Sequence, residues 1–231
     1  MADRPRITDP KAYPAVGTDD YLPGLPAERL TPRFLRDRFS ARIDWRPELQ
    51  GDGGSLEREP AAASVLVPLV LRDEALHVLL TQRAAHLHDH AGQVSFPGGR
   101  AEPHDADEVA TALREAQEEI GLHPRHVEVL GCLPAYTTVT RFVVTPVVAL
   151  VHPPFELALD AFEVDEAFEV PLPFLMTPAH HRRHIFDAGG KPRQFLSMPW
   201  QGEAADGALR EYYIWGATAA MLRNLYGFLS A

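Results

Sequence analysis

A second cysteine is missing from this chain. Cys132 is the only one in 231 residues, so no disulfide can form within the chain, and a reducing compartment is the simple reading. Cys132 sits in the apolar stretch 127–133 and is expected to be a buried apolar residue. Long hydrophobic runs are also absent. No apolar stretch approaches the roughly 20 residues of a membrane span, and the first five residues lack the apolar run of a signal peptide. A cytoplasmic protein without a membrane partner is expected. Positive charge is short as well: 22 Lys and Arg stand against 32 Asp and Glu, a formal net charge of −10. That balance argues against general attraction to nucleic acid or to anionic membrane. If such a chain handles phosphates, it needs local cations, either metal ions or placed Arg and His.

What is present suffices for one sizeable core, with 45% hydrophobic residues. Residues 1–60 are rich in Pro, Gly, Asp and Arg and read as an N-terminal extension. Within it, residues 30–39 form a short helix with Thr31 as N-cap and Pro32 in the first helical position. A second unit, residues 61–231, carries the periodic segments. Residues 64–71 and 76–81 read as buried strands joined by a turn at 72–74, although Pro68 removes a ladder donor from the first. A His-rich loop follows, then Pro97-Gly98-Gly99, where the double glycine marks a sharp turn or a close backbone approach.

Residues 107–120 read as a helix. Val109, Ala112, Leu113, Ala116 and Ile120 form one apolar stripe, Asp105, Asp107 and Glu108 sit at its start, and Gly121 ends it. Strands are expected at 127–133 and 142–151, and a last helix at about 217–229. The irregular interleaving suggests an α/β or α+β sandwich.

The helix carries Arg114-Glu115-Ala116-Gln117-Glu118-Glu119. Glu115 and Glu119 lie one above the other on it, with Glu118 beside Glu115. Each like-charged pair at this spacing costs roughly 0.2–0.5 kcal/mol in an isolated helix. A divalent cation reverses that sign, and hard oxygen donors suit Mg²⁺ or Mn²⁺. Taken alone, the triplet reads as a solvated helix face, which is how most Glu clusters turn out.

The triplet has company. With Gly99 upstream and Gly121-Leu122 downstream it resembles the Nudix box, G-x5-E-x7-R-E-U-x-E-E-x-G-U, where U is a bulky apolar residue. Gly99, Arg114, Glu115, Glu118, Glu119, Gly121 and Leu122 match. Asp105 stands where the pattern has Glu, and eight residues rather than seven separate it from Arg114. Ala116 is small for its apolar slot. The resemblance implies an α/β/α sandwich around a mixed sheet, and hydrolysis of a nucleoside diphosphate linked to another group. It implies Glu115, Glu118 and Glu119 as ligands of Mg²⁺ or Mn²⁺, with Arg114 orienting a carboxylate by an ion pair.

The preceding segment, residues 79–99, is similar to a further motif, L-L-T-x-R-(S/A)-x3-R-x3-G-x3-F-P-G-G, of the coenzyme A pyrophosphatase branch of that superfamily. Leu79, Leu80, Thr81, Arg83, Ala84, Gly92, Phe96, Pro97, Gly98 and Gly99 match, and the second Arg falls on His88. The longer Asp105 spacing is shared with this branch. The implied substrate is coenzyme A or a derivative, a small nucleotide contacted by Arg83, His88, Gly98 and Gly99. ADP-ribose, NADH and nucleoside triphosphates stand as alternatives, as does a non-catalytic nucleotide-binding module.

By the resemblance, the general base is either a box glutamate or an acid from a later loop. The acidic stretch 163–169 is the later candidate, with Glu166 chosen on the alternation of an extended segment as a further metal or base contributor, against a solvated loop. His86, His88 and His90 alternate as zinc ligands do, yet no Cys or second ligand pair accompanies them. For residues 180–184, His-His-Arg-Arg-His, a remote phosphate site competes with an exposed turn, and the turn is the expectation. Tyr136 and Trp215 stack on adenine or belong to the core. The oligomeric state stays open, a homodimer included.

Overall fold

The computed structural model describes residues 7–52, 60–73, 75–87, 91–204 and 207–231. In chain order the strands are β1 (Ala15–Thr18), β2 (Ala61–Leu71), β3 (Leu76–Arg83), β4 (Val94–Ser95), β5 (Gly98–Arg100), β6 (Val127–Cys132), β7 (Tyr136–Thr137), β8 (Phe142–Val151), β9 (Val164–Pro171), β10 (Arg182–Asp187), β11 (Pro192–Glu203) and β12 (Leu209–Trp215). The helices are α1 (Pro32–Ser40), α2 (Glu108–Ile120), α3 (Leu172–Leu175) and α4 (Gly216–Ser230).

Eight strands, β2 to β9, make one mixed sheet, and β1, β10, β11 and β12 make a second, antiparallel one. The long β2 runs parallel to β8 in unbroken register from Ala61 opposite Phe142 to Val70 opposite Val151. Pro68 is tolerated inside it for a local reason. On the far edge of β2, residues 63–65 pair with β5 and residues 69–71 pair with β3, so Pro68 falls in the gap between partners.

Strand alternation sorts the core into two faces. Leu66, Val70, Leu79, Val147, Ala149 and Val151 pack against Ala112, Ala116 and Ile120 of α2. Val67, Leu69, Val78, Leu80, Val148 and Leu150 point the other way, toward α4 and the second sheet. The layers are therefore α2, the mixed sheet, then α4 with the smaller sheet, the expected α/β/α sandwich. Among the described residues, no helix is long and apolar enough to cross a membrane.

The described residues before Ala61 are knitted into this body. Thr31 caps α1 by accepting from the Phe34 N–H at 3.2 Å, as expected. Arg38 and Arg29 donate to the carbonyls of Phe228, Leu229 and Ser230, closing the C-terminal end of α4. β1 pairs with β10, and the buried Asp19 accepts from Arg183, with Nη2 to Oδ2 at 2.8 Å. Arg223 joins the same cluster through Glu48 at 2.6 Å.

Three expectations are corrected. Cys132 is exposed: a bulge at Leu130, where Val129 opposes Ala149 and Gly131 opposes Val148, shifts the alternation before Cys132 is reached. Residues 180–184 are neither an exposed turn nor a phosphate site. His181 and His184 are buried, and Arg183 is held by Asp19 and Glu48. Each buried imidazole has its own partner: His181 Nε2 lies 2.7 Å from the Leu175 carbonyl, and His184 bridges the Tyr13 carbonyl and Ser197 Oγ. Finally, α2 starts at Glu108, because Asp107 is extended and acts as its N-cap, accepting from the Ala110 N–H at 2.8 Å.

Candidate active site

The site is built where α2 passes the turn from β4 into β5. α2 is fixed at both ends, by the Asp107 cap and by Gly121 in the left-handed conformation (φ 70°). Losing such an N-cap costs about 1 kcal/mol. Its buried face holds the helix on the sheet, and along the flank of that face Arg114, Glu115 and the buried Glu119 meet β5, with Glu118 beside Arg114.

Arg114 organises this edge. Its Nε and Nη2 grip the two oxygens of Asp105 at 3.0 and 2.9 Å, and Nη2 also reaches the Arg100 carbonyl at 3.0 Å. Its Nη1 donates to Glu115 at 2.9 Å and to Glu118 at 2.8 Å. Asp105 further accepts from the Glu102 N–H and from Thr111 Oγ1. The Arg114 fork, with the Glu102 N–H, holds the Asp105 carboxyl well below the usual carboxylate range, and Asp105 in turn keeps Arg114 firmly charged. Asp105 thus reaches Arg114 despite the longer spacing between them.

The two glycines have different tasks. Gly98 has φ +152°, and a Cβ there would meet the Ser64 carbonyl oxygen at 2.4 Å; its N–H donates to Glu119 Oε2 at 3.0 Å. At Gly99 a Cβ would strike the Glu115 carboxyl at 2.6 Å. The missing side chain is what lets that carboxylate lie against β5.

Glu119 is buried. Burial pushes its carboxyl up to about 7, against the pull of the Gly98 N–H and Arg83. Glu115 is raised too, again mainly by burial. The charge of Glu163, at the start of β9, adds to the rise at both. Arg83, at the end of β3 on the α2 face of the sheet, brings Nη1 to 3.8 Å from Glu119 Oε1. Its Nε is buried and has no hydrogen-bond acceptor among the described residues.

Asp105, Glu115 and Glu118 are therefore held on the Arg114 guanidinium and Glu119 lies near that of Arg83, with the charge of Glu163 felt at Glu115 and Glu119. Among the described residues, no three candidate ligand side chains enclose an ion as they stand, because Arg114 Nη1 bridges Glu115 and Glu118. The donor set nevertheless fits a hard divalent cation: an excess of carboxylate oxygens, one of them, on Glu119, buried and pushed up by that burial. Glu118, 60% exposed along its side chain, is able to turn toward an ion.

Of the residues named from the sequence, Arg83, Gly98, Gly99, Arg114, Glu115, Glu118 and Glu119 come together here. His88 and His90 lie outside the described residues. Glu166 does not join the site. β9 carries a bulge, with Glu166 opposite Gln82 but Val164 opposite Arg83. Glu166 faces the smaller sheet, 3.5 Å from Arg210, on the side where Phe168 stacks on Tyr212. The acid whose charge reaches the box is Glu163, while Glu166, in the regular part of β9, shares the face of Phe168 and Val170, away from α2. Tyr136 is core, its hydroxyl donating to Asp52 at 2.5 Å, and Trp215 packs edge-on to Phe195.

Comparison with known proteins agrees with this geometry. The family model of the NUDIX domain matches residues 61–185. The uncharacterized Nudix hydrolase NudL of Salmonella typhimurium is 41% identical over 197 residues, which is 84% of this chain and 95% of the relative. NudL of Salmonella enteritidis matches to the same extent. Among solved structures, an Ap4A hydrolase of C. elegans is 21% identical, covering 51% of this chain and 85% of its own, with a TM-score of 0.43. On the matched domain and the 41% identity, the chain belongs to the Nudix hydrolase family.

Proposed function

We propose that this hydrolase cleaves the pyrophosphate of coenzyme A or a coenzyme A derivative, giving 4'-phosphopantetheine and adenosine 3',5'-bisphosphate. One observation carries the reading. The stretch 79–99, whose pattern is similar to the coenzyme A branch, converges with the box on one place, where Arg83 lies 3.8 Å from Glu119. The buried Arg83 Nε lacks an acceptor among the described residues, and a substrate phosphate oxygen supplies one.

Glu115, Glu118 and Glu119 would hold Mg²⁺ or Mn²⁺. Such an ion neutralises phosphate oxygens and lowers the pKa of a bound water. The chain's own residues set positions, which for phosphate chemistry is most of the work. Arg114 fixes Glu115 and Glu118, the Gly98 N–H fixes Glu119, and the bare Gly99 leaves room for the Glu115 carboxyl. Glu163 takes the part that sequence reading gave to Glu166, the acid from outside the box.

The test is mass spectrometry of products from coenzyme A, acyl-coenzyme A, ADP-ribose, NADH and dNTPs, each with Mg²⁺ or Mn²⁺. Coenzyme A or an acyl derivative is expected to give the highest kcat/KM, by about tenfold or more, a gap worth about 1.4 kcal/mol in the transition state. Equal or faster turnover of ADP-ribose, NADH or a dNTP would overturn the assignment.

A further inference from the structure

The loop leading into β9 holds a phenylalanine in the open. Phe162 is 68% exposed, among the most exposed large apolar side chains described. It is not on a loose tail. The loop is tied to the end of α2 by two hydrogen bonds, Ala158 N–H to the Ile120 carbonyl at 3.0 Å and Asp160 N–H to the Glu119 carbonyl at 2.9 Å. Asp160 then shapes the turn: Oδ1 accepts from the Phe162 N–H at 2.9 Å, and its carbonyl accepts from Glu163 and Val164.

The same loop is stitched to the end of β3. The Ala84 N–H donates to the Glu163 carbonyl at 2.9 Å, and the Ala85 N–H to Asp165 Oδ2 at 3.0 Å. This sets His86 beside Phe162, with ring centroids 5.1 Å apart at 61°. Edge-to-face contact leaves a face of Phe162 uncovered. On one side of the pair the chain continues into Glu163, whose charge is felt by Glu115 and Glu119. On the other it leads back to Arg83, beside Glu119. An exposed ring anchored this firmly at the rim of a phosphate-handling site suits a planar ligand group.

We infer that Phe162, backed by His86, stacks the nucleobase of the substrate while the pyrophosphate lies on the box carboxylates. The inference rests on the hydrolase reading above and adds to it the part that recognises the base. Apolar contact over the ring face with an imidazole at its edge suits a purine, which carries both a π-face and polar edges.

The experiment is calorimetric titration of the Mg²⁺-loaded protein with ADP and with 5-phosphoribosyl diphosphate, a sugar diphosphate without a base. Phe162→Ala is expected to weaken ADP about tenfold, in line with aromatic–base stacking, and to leave the base-free ligand within about twofold. Phe162→Trp is expected to restore ADP binding, and its added indole to report ADP by quenched fluorescence. Unchanged ADP affinity in Phe162→Ala, or equal loss for both ligands, would overturn the inference. If wild type binds ADP through Phe162 yet hydrolyses no nucleoside diphosphate linkage, the base site stands and the proposed reaction falls. If wild type binds neither ligand, both fall.

Discussion

Arg114 and Asp105 are joined by two parallel hydrogen bonds, Nε to Oδ1 at 3.0 Å and Nη2 to Oδ2 at 2.9 Å. The pair absorbs the extra residue of the box. Asp105 sits before the helix, anchored by the Glu102 N–H and Thr111, so the added residue lengthens the approach to α2 and leaves the register of Arg114 to Glu119 intact. Arg114→Lys keeps a charge but loses the fork that spans Asp105, Glu115 and Glu118. Its kcat/KM is expected to fall about 10–100-fold, the usual cost of losing a group that orients metal-binding side chains. Asp105→Asn should fall in the same direction, by less. Steady-state kinetics across Mg²⁺ concentrations check this, and an Arg114→Lys enzyme within about twofold of wild type would remove the fork from the mechanism.

Gly98 and Gly99 are neighbours with opposite expected phenotypes. At Gly98 an added Cβ meets backbone, the Ser64 carbonyl oxygen at 2.4 Å and Val65 Cα at 2.5 Å, with φ in a region unfavourable to other residues. At Gly99 it meets the far end of the Glu115 side chain, which can swing aside. Gly98→Ala should therefore lose about 1–3 kcal/mol of stability. Gly99→Ala should fold with near-normal stability and lose most activity, because the displaced carboxylate is a proposed ligand. Thermal melts beside initial rates separate the two, and matching phenotypes would contradict this division.

The box was legible because it is local. Glu115, Glu118 and Glu119 share a helix edge through helical spacing alone, and Asp107 and Gly121 mark the helix ends. Arg83 was named through its place in the upstream motif, which the resemblance alone supplied. What stayed hidden depends on long-range placement and on local irregularity. Glu166 keeps the regular β9 register and shares the face of Phe168 and Val170, which the pairing with β3 turns away from α2. The β6 bulge, which has no sequence signature, turns Cys132 outward. The smaller sheet was missed for another reason. β10 buries His184 through polar partners distant in sequence, Tyr13 and Ser197, so its pattern reads as a polar turn. Phe162 left a faint trace, an aromatic in an acidic loop, but only the hydrogen bonds of Asp160 make it a fixed, exposed ring.

His181 gives the fold an acid-sensitive point. Burial lowers its imidazole to about 4 from 6.5, and the Arg223 charge adds to that against Asp19 and the Leu175 carbonyl. Nδ1 is buried and has no partner among the described residues, so a second proton there finds no acceptor. The unfolded chain takes up the proton first. Stability from the neutral ring is thus complete above about pH 6.5 and is lost as pH falls toward about 4, by up to roughly 3 kcal/mol. Urea midpoints between pH 7.5 and 4.5 should drop more steeply for wild type than for His181→Gln, which does not titrate. Parallel profiles would show that the loss arises elsewhere.

Glu119 should act in the opposite sense, and a metal ion should cancel it. In the metal-free protein burial holds its carboxyl at about 7, against 4.5 when unperturbed, and the charges of Glu163 and Glu115 add to the rise. A carboxyl raised on folding costs nothing below its unfolded pKa, because both states keep the proton. As pH climbs from about 4.5 to 7 the unfolded chain releases that proton while the folded chain retains it, and stability declines, by up to about 3 kcal/mol. Glu119→Gln removes this cost while offering an oxygen to the Gly98 N–H. With EDTA present, its melting temperature at pH 8 should exceed that of wild type, and the gap should close near pH 4.5. Mg²⁺ stabilises only the folded state and must displace the proton, so it should raise the wild-type melting temperature clearly at pH 8 and little at pH 5. The same substitution should cut turnover by several orders of magnitude, since the ligand oxygen that a cation needs is gone. Melting curves at pH 4.5 to 8, with EDTA and with Mg²⁺, test all of this in one series. An Mg²⁺ shift of equal size at pH 5 and pH 8, or one that survives unchanged in Glu119→Gln, would remove Glu119 from the metal site.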